Sequence, residues 1–307
     1  MAEVGARKLV VGVDGSQASE RALRVALHEA ATTGEEVRVL HSWQVPALAA
    51  PLPGYGYGFG YDLLPTAVTD QASSASSFLD DVVRNAQVDE GLPDVPVHQD
   101  VEPGDAATEL VRAAEHADLL VLGARHHGGV ASALIGSPTS YVLHHAPCPV
   151  MVVAASSSPV RSWTRVVVGV DGSDEGDAAL RWAAARADAH GCPLLAVHVW
   201  QIVDNPDWFG ALSATGVAYD QQREAWLQEH VAEVLSDYPA VRFSVQVVKG
   251  QPSHVLLDVA GADELLVVGS RGHSGLTGLV LGSVAMHCAH HTRGAVAIVR
   301  APKGMSS

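Results

Sequence analysis

The chain has 307 residues, 48% hydrophobic and 17% charged, which is apolar material for about two ordinary domains and too little charge for a disordered chain. Its 19 Lys and Arg against 34 Asp and Glu leave a formal net charge of −15. That balance repels nucleic-acid backbones and anionic lipid, and no local basic patch offsets it, so neither partner is expected. Any anionic ligand has to be held by aimed backbone N–H groups.

The opening residues, MAEVGARKLVVGVDGS, lack a signal-peptide pattern because the apolar stretch breaks at Asp14. No run nears the roughly 18 apolar residues of a membrane span. The cysteines Cys148, Cys192 and Cys288 are odd in number and form no CxxC. A soluble, cytoplasmic protein is expected.

VVGVDGS occurs at Val10–Ser16 and again at Val167–Ser173, an offset of 157 residues. VLHSWQV (39–45) matches AVHVWQI (196–202) at that offset, pairing His41 with His198 and Trp43 with Trp200. LLVLGARHHGGVASALIGS (119–137) then matches LLVVGSRGHSGLTGLVLGS (265–283) at an offset of 146, so the first half carries 11 extra residues before it. Two homologous domains in tandem follow: 1–154, a linker over 155–163 (small, polar and proline-containing), and 164–307. The extra length falls in PALAAPLPGYGYGFGYDLLP (46–65), a surface loop or a lid over a ligand.

In the second half, RVVVGV reads as a buried strand, and DGSDEGDAALRWAAARADAHG as a helix with a Ser-rich, acidic start and a Gly stop. PLLAVHVW is a strand, YDQQREAWLQEHVAEVLSDY a helix and VRFSVQVVKG a strand. PSHVLLDVAGA is a helix, ELLVVG a strand, SVAMHCAHHT a helix and AVAIVR the last strand. This alternation predicts α/β domains with open, doubly wound parallel sheets, Rossmann-like in class. Ligands then bind beyond the carboxyl ends of the strands, where VDG and GSRG both fall. The last strands, VMVVA and VAIVR, are the expected pairing edges between the halves, an intramolecular pseudo-dimer.

GSRGHSGLTGLVLGS is not a Walker A loop, since it has no Lys, and it is not GxGxxG. Gly269 and Gly272 are followed after nine residues by Gly282–Ser283, which open a helix whose free N–H groups favour an anion. On these residues alone a phosphate cradle, a hinge and a helix-packing seam all remain open. His287 and His291 stand at metal-pair spacing, but Tyr141 replaces His287 in the first half, and no metal site is expected. No nucleophile elbow or recognisable Ser/His/Asp set is present, so no catalytic residue is assigned.

Gly-x-x-Gly, nine residues, Gly-Ser closely resembles the ATP-binding motif of the universal stress protein family. GVDGS on the first strand, H-x-W on the second and CPV before the last strand of the first half carry the same resemblance, which covers the chain twice, as in the tandem members common in actinobacteria. It implies an adenine-nucleotide α-hydrolase-like fold and ATP, with Mg²⁺, as ligand. Val170 and Asp171 would face adenine and ribose, and Val199 would offer its backbone to the base. Gly269, Gly272, Gly282, Ser283 and the N–H of Val284 would surround the phosphates, Val268 is a further nucleotide-binding position, and Arg271 is added as a nearby cation. In the first half the matching positions are Val13, Asp14, Ser42, Gly123, Gly136 and Ser137. The function implied is a nucleotide-dependent regulatory module in stress or dormancy, acting on a protein partner, with a homodimer of tandem chains left open. The alternatives are a slow ATPase or adenylyl-transferring enzyme and a nucleotide-free scaffold.

The first half departs from the motif. His126 stands for Gly272, and Pro138, which has no N–H, stands for Val284. A His held at positive φ costs on the order of 1 kcal/mol. Gly128 and Gly129 offer a rerouted loop, and His126 or His127 an alternative phosphate contact. The second half is therefore expected to bind ATP better than the first.

Overall fold

A computed structural model describes residues 8–43, 64–124, 135–155, 162–201, 216–272 and 281–301. The first half runs β1 (Lys8–Gly12), α1 (Gln17–Thr33), β2 (Glu36–Trp43), α2 (Leu64–Glu90), β3 (Val97–Pro103), α3 (Ala106–Ala114), β4 (Leu119–Ala124), α4 (Ser137–His145) and β5 (Val150–Ala154). The second repeats it as β6 (Val166–Gly169), α5 (Asp174–His190), β7 (Leu194–Trp200), α6 (Gly216–Val234), β8 (Phe243–Lys249), α7 (Pro252–Val259), β9 (Leu265–Gly269), α8 (Ser283–His291) and β10 (Ala295–Val299).

The two copies of VDGS start equivalent helices. Ser16 and Ser173 each take an extended backbone and accept a first-turn N–H, from Ser19 and Gly176 respectively. Both helices stop at a left-handed glycine, Gly34 (φ 73°) and Gly191 (φ 61°). The strands form one sheet ordered β3-β2-β1-β4-β5-β10-β9-β6-β7-β8. Within each half every pairing is parallel, and the halves meet where β5 and β10 run antiparallel. Alternate strand residues feed two apolar layers, one per sheet face. Leu9, Val11, Leu23 and Leu27 belong to the layer under α1, α2, α5 and α6, and this layer continues across the seam through Met151 and Ala297. Val10, Leu120 and Leu266 belong to the opposite layer under α3, α4, α7 and α8.

Two expectations are adjusted. Residues 46–63 of the anticipated loop lie outside the described residues, and its last two, Leu64 and Pro65, begin α2. The linker ends in a core residue: Trp163 is 3% exposed and its Nε1–H donates to Glu29 Oε1 at 2.5 Å. No helix among the described residues is long and apolar enough to cross a membrane.

Trp163 joins a buried charge cluster between the halves. Arg186 of α5 donates to Glu29 of α1 (3.1 Å) and to Glu35 before β2 (3.3 Å), and His190 Nε2 lies 2.9 Å from Glu29 Oε1. Burial pushes the Glu29 carboxyl up, but His190, Arg186 and Trp163 together hold it below its ordinary 4.5. A carboxylate with a depressed folded value stabilises fully above its unfolded value and loses that contribution as pH falls through the folded one. Melting temperature should therefore drop on acidification below about 4.5, and Glu29→Gln should flatten that part of the profile. A wild-type-like slope in the variant would remove Glu29 as the cause.

Burial also pushes the thiols up, Cys148 and Cys288 to about 12, and Cys192 above its ordinary value. All three are buried and free. Iodoacetamide should leave Cys148 and Cys288 unmodified in the native protein at mildly alkaline pH and label them after unfolding, as read by peptide mass spectrometry. Rapid native labelling would contradict their burial.

Candidate functional site

At the carboxyl end of β6 the chain turns through Gly172 (φ 79°). Asp171 fixes the turn, its Oδ1 accepting from the Ser173 N–H (3.0 Å) and hydroxyl (2.6 Å). Next door, His198 of β7 donates from Nδ1 to the Val170 carbonyl at 2.8 Å. The first half repeats this with Asp14 accepting from the Ser16 N–H (3.0 Å) and His41 donating to the Val13 carbonyl (2.8 Å). The His of H-x-W thus ties the second strand of each half to the loop after the first, holding that loop's carbonyl inward.

Beyond β9, Ser270 receives the Gly282 N–H on its carbonyl at 2.7 Å, which closes the base of the glycine loop and sets the start of α8 beside it. Gly282 caps α8 with extended backbone (φ −79°, ψ 157°) and no side-chain hydrogen bond. α1, α3 and α5 each have a capping side chain, whereas α4, α7 and α8 do not, and the first turn of α8 (Ser283, Val284 and Ala285) lines the cleft. That cleft is a cavity of about 530 Å³. All ten second-half positions singled out from sequence line it: Val170, Asp171, Val199, Val268, Gly269, Arg271, Gly272, Gly282, Ser283 and Val284.

The glycines act through space rather than through special backbone angles. Gly272 is not among the positive-φ glycines, so the strain ascribed to its His126 counterpart has no basis in Gly272's own φ. A Cβ at Gly272 would instead stand 2.5 Å from Asp171 Oδ2. At Gly269 it would stand 2.9 Å from the Glu175 backbone in the first turn of α5, so this glycine permits strand–helix contact.

Arg271 lines the cavity but is ion-paired with Glu175, so it reaches an anion only by leaving that carboxylate. Gln201, Gln251, Ser253 and His287 also line the cavity and were not foreseen. Gln251 and Ser253 sit at the start of α7, where "GQPS" after a strand is a helix-start signal that could have been extended to the site. The His287 ring stacks on His291 (centroids 4.1 Å apart) and meets His254 edge-on (4.9 Å). Burial, then His291, His254 and His290, lower its pKa. Trp43 is buried, whereas Trp200 is half-buried with Arg223 4.9 Å above its ring.

The first-half cavity is smaller, about 350 Å³, and Val13, Asp14, Ser42, Gly123, Gly136 and Ser137 all line it. Ser16, Ser19 and Thr139 were not foreseen there. Gly136 caps α4 without a side-chain bond, as Gly282 caps α8, but Pro138 in the first turn removes a donor. His126, His127, Gly128 and Gly129 lie outside the described residues. Among the described residues no cluster of His, Cys, Asp or Glu is arranged to hold a metal.

A model of the universal stress protein family matches residues 5–154 and again 162–300. Universal stress protein Rv2623 of Mycobacterium tuberculosis is 31% identical over 300 residues, covering 95% of this chain and 96% of that protein. Universal stress protein Rv2005c of the same species is 30% identical over 295 residues, covering 95% and 96%. A crystal structure of a universal stress protein from Archaeoglobus fulgidus superposes with a TM-score of 0.66 at 18% identity, covering 96% of this chain and 99% of that one.

Proposed function

The chain belongs to the universal stress protein family, and on that premise we propose that it binds ATP with Mg²⁺ in the second-half cavity and works as a nucleotide-dependent regulatory module in a stress or dormancy response. The observation that carries this reading is the uncapped start of α8 facing a cavity of about 530 Å³. First-turn N–H groups without a capping side chain, together with the helix dipole, suit a polyphosphate in a protein with no bulk positive charge to offer. Val170 and Val199, which also line the cavity, give apolar surface and backbone groups for the base, with Asp171 offered to the ribose. The absence of a Lys clamp fits a ligand that is held rather than rapidly hydrolysed, its occupancy read by a protein partner.

We place the stronger site in the second half, because Pro138 withholds a first-turn N–H and the first cavity is about 350 Å³. Calorimetric titration of nucleotide-stripped full-length protein with Mg-ATP should give one dominant site per chain. Gly272→Ala should weaken it, since the added Cβ would stand 2.5 Å from Asp171 Oδ2 and displace a carboxylate that lines the same cavity. Two equal sites would overturn the asymmetry. No heat and no thermal shift would overturn nucleotide binding and favour a scaffold.

A further inference from the structure

The two halves are related by a pseudo-two-fold axis that two separate contacts locate. In the seam, Met151 of β5 faces Ala297 of β10, and these are equivalent positions at the offset of 146 that relates Leu119 to Leu265. In the layer beneath, Glu29 of α1 meets Arg186 of α5, equivalent at the offset of 157 that relates Val10 to Val167. A residue on such an axis faces its own counterpart. Any protein that paired two copies of the same half through this surface would therefore set Glu29 against Glu29, or Arg186 against Arg186.

The charges around the axis are segregated by half. The first half contributes Glu29 and Glu35, 1% and 3% exposed; the second contributes Arg186, 6% exposed, with the buried His190 ring, and the last linker residue adds the Trp163 N–H. The equivalents of Glu35 and His190 are Cys192 and Thr33, so neither half carries the other's groups. A second asymmetric contact lies at the seam: Arg300 donates to the Leu143 carbonyl in the last turn of α4 at 2.5 Å. Its first-half equivalent is Ala154, whose methyl side chain cannot return the bond.

We infer that this buried cluster is a pairing code, by which the acidic face of the first half accepts only the basic face of a second half and rejects a second copy of itself. The inference is independent of nucleotide binding. Pairing two first halves would bury four carboxylates together, and pairing two second halves would bury two guanidinium groups without an acceptor. The apolar seam strands, VMVVA and AVAIV, carry no such information, because either would accept the other or itself. Selectivity must then come from the charged positions under them.

The test uses full-length chains. Glu29→Arg and Arg186→Glu each place like charges on the axis, so each alone should lose protection of the β5 and β10 amides in hydrogen exchange. Mixed in equal amounts, the second half of the first variant and the first half of the second rebuild the native cluster. Dyes on the two amino termini should then report energy transfer, and sedimentation should show a mixed dimer with the seam amides protected again. Variants that remain separate on mixing overturn the code. If either variant fails to fold, Glu29→Gln/Glu35→Gln/Arg186→Met removes the charges without repulsion. Two labelled batches of it should exchange partners, raising energy transfer above that of a wild-type mixture. Exchange no greater than in wild type overturns the proposal.

Discussion

Replacing Val284 by proline should weaken Mg-ATP binding by roughly 10- to 100-fold while leaving the melting temperature nearly unchanged. Val284 is the second residue of α8, and its N–H belongs to the first turn, which has no acceptor within the helix. Proline is tolerated there, since its φ suits a helix and the donor it deletes is not part of the helical ladder. The protein carries its own control: α4 has Pro138 at the same place and still runs Ser137–His145, the same nine residues as α8 from Ser283 to His291. The substitution thus removes one N–H and little else. A hydrogen bond to a charged acceptor contributes about 1.5–3 kcal/mol, which sets the expected loss. Pro138→Val should strengthen any first-half binding without reaching the second half's affinity, because the first cavity remains smaller. Unchanged affinity in Val284→Pro, measured by calorimetry, would mean that the phosphates do not sit on the α8 N-terminus.

Much of this architecture is legible in local pattern. VVGVDGS repeated at a fixed offset, short β-branched runs and Ser or Gly at helix ends report neighbours a few residues apart, and the elements they imply are present. Local pattern places the strand ends and helix starts that line the cavity, but the assignment of particular residues to a ligand came from the family resemblance, since the pattern alone left a cradle, a hinge and a packing seam open. What pattern could not show are contacts between residues far apart in the chain. Arg271 looks like an unengaged cation beside a glycine loop until Glu175, 96 positions earlier, is seen to pair with it. Trp163 closes a segment that reads as linker, and only the fold brings Glu29 to its indole N–H. Arg186 and Glu29 sit on helix faces otherwise rich in alanine, with no periodicity to single them out. The glycines divide along the same line. The turn at Gly172 is a local matter of backbone angle, whereas the need for Gly123 and Gly269 comes from a helix crossing the strand.

Gly123→Ala should accordingly destabilise the fold more than it disturbs any ligand. A Cβ there would lie 2.4 Å from both the carbonyl carbon and oxygen of Ala18 and 2.7 Å from the Ser19 nitrogen. These are backbone atoms of the first turn of α1, so no rotamer change can relieve the overlap. α1 has to lift away from β4, and with it go Leu23 and Leu27, both fully buried under the sheet. Overpacking of this kind costs about 3 kcal/mol, which for a chain of this size lowers the melting temperature by roughly 5 °C. Gly269→Ala should cost less, since its nearest backbone atom would be 2.9 Å away. Gly136→Ala is the control, for its Cβ would make an ordinary contact at 3.6 Å with Pro138 and leave stability close to wild type. Motif glycines in one loop family thus differ in what they make possible. Gly123 and Gly269 let a helix lie close on a strand, and Gly272 leaves room for a carboxylate. If Gly123→Ala melted like wild type, the close approach of α1 to β4 would not be what excludes a side chain there, and the glycine would return to the ligand as its explanation.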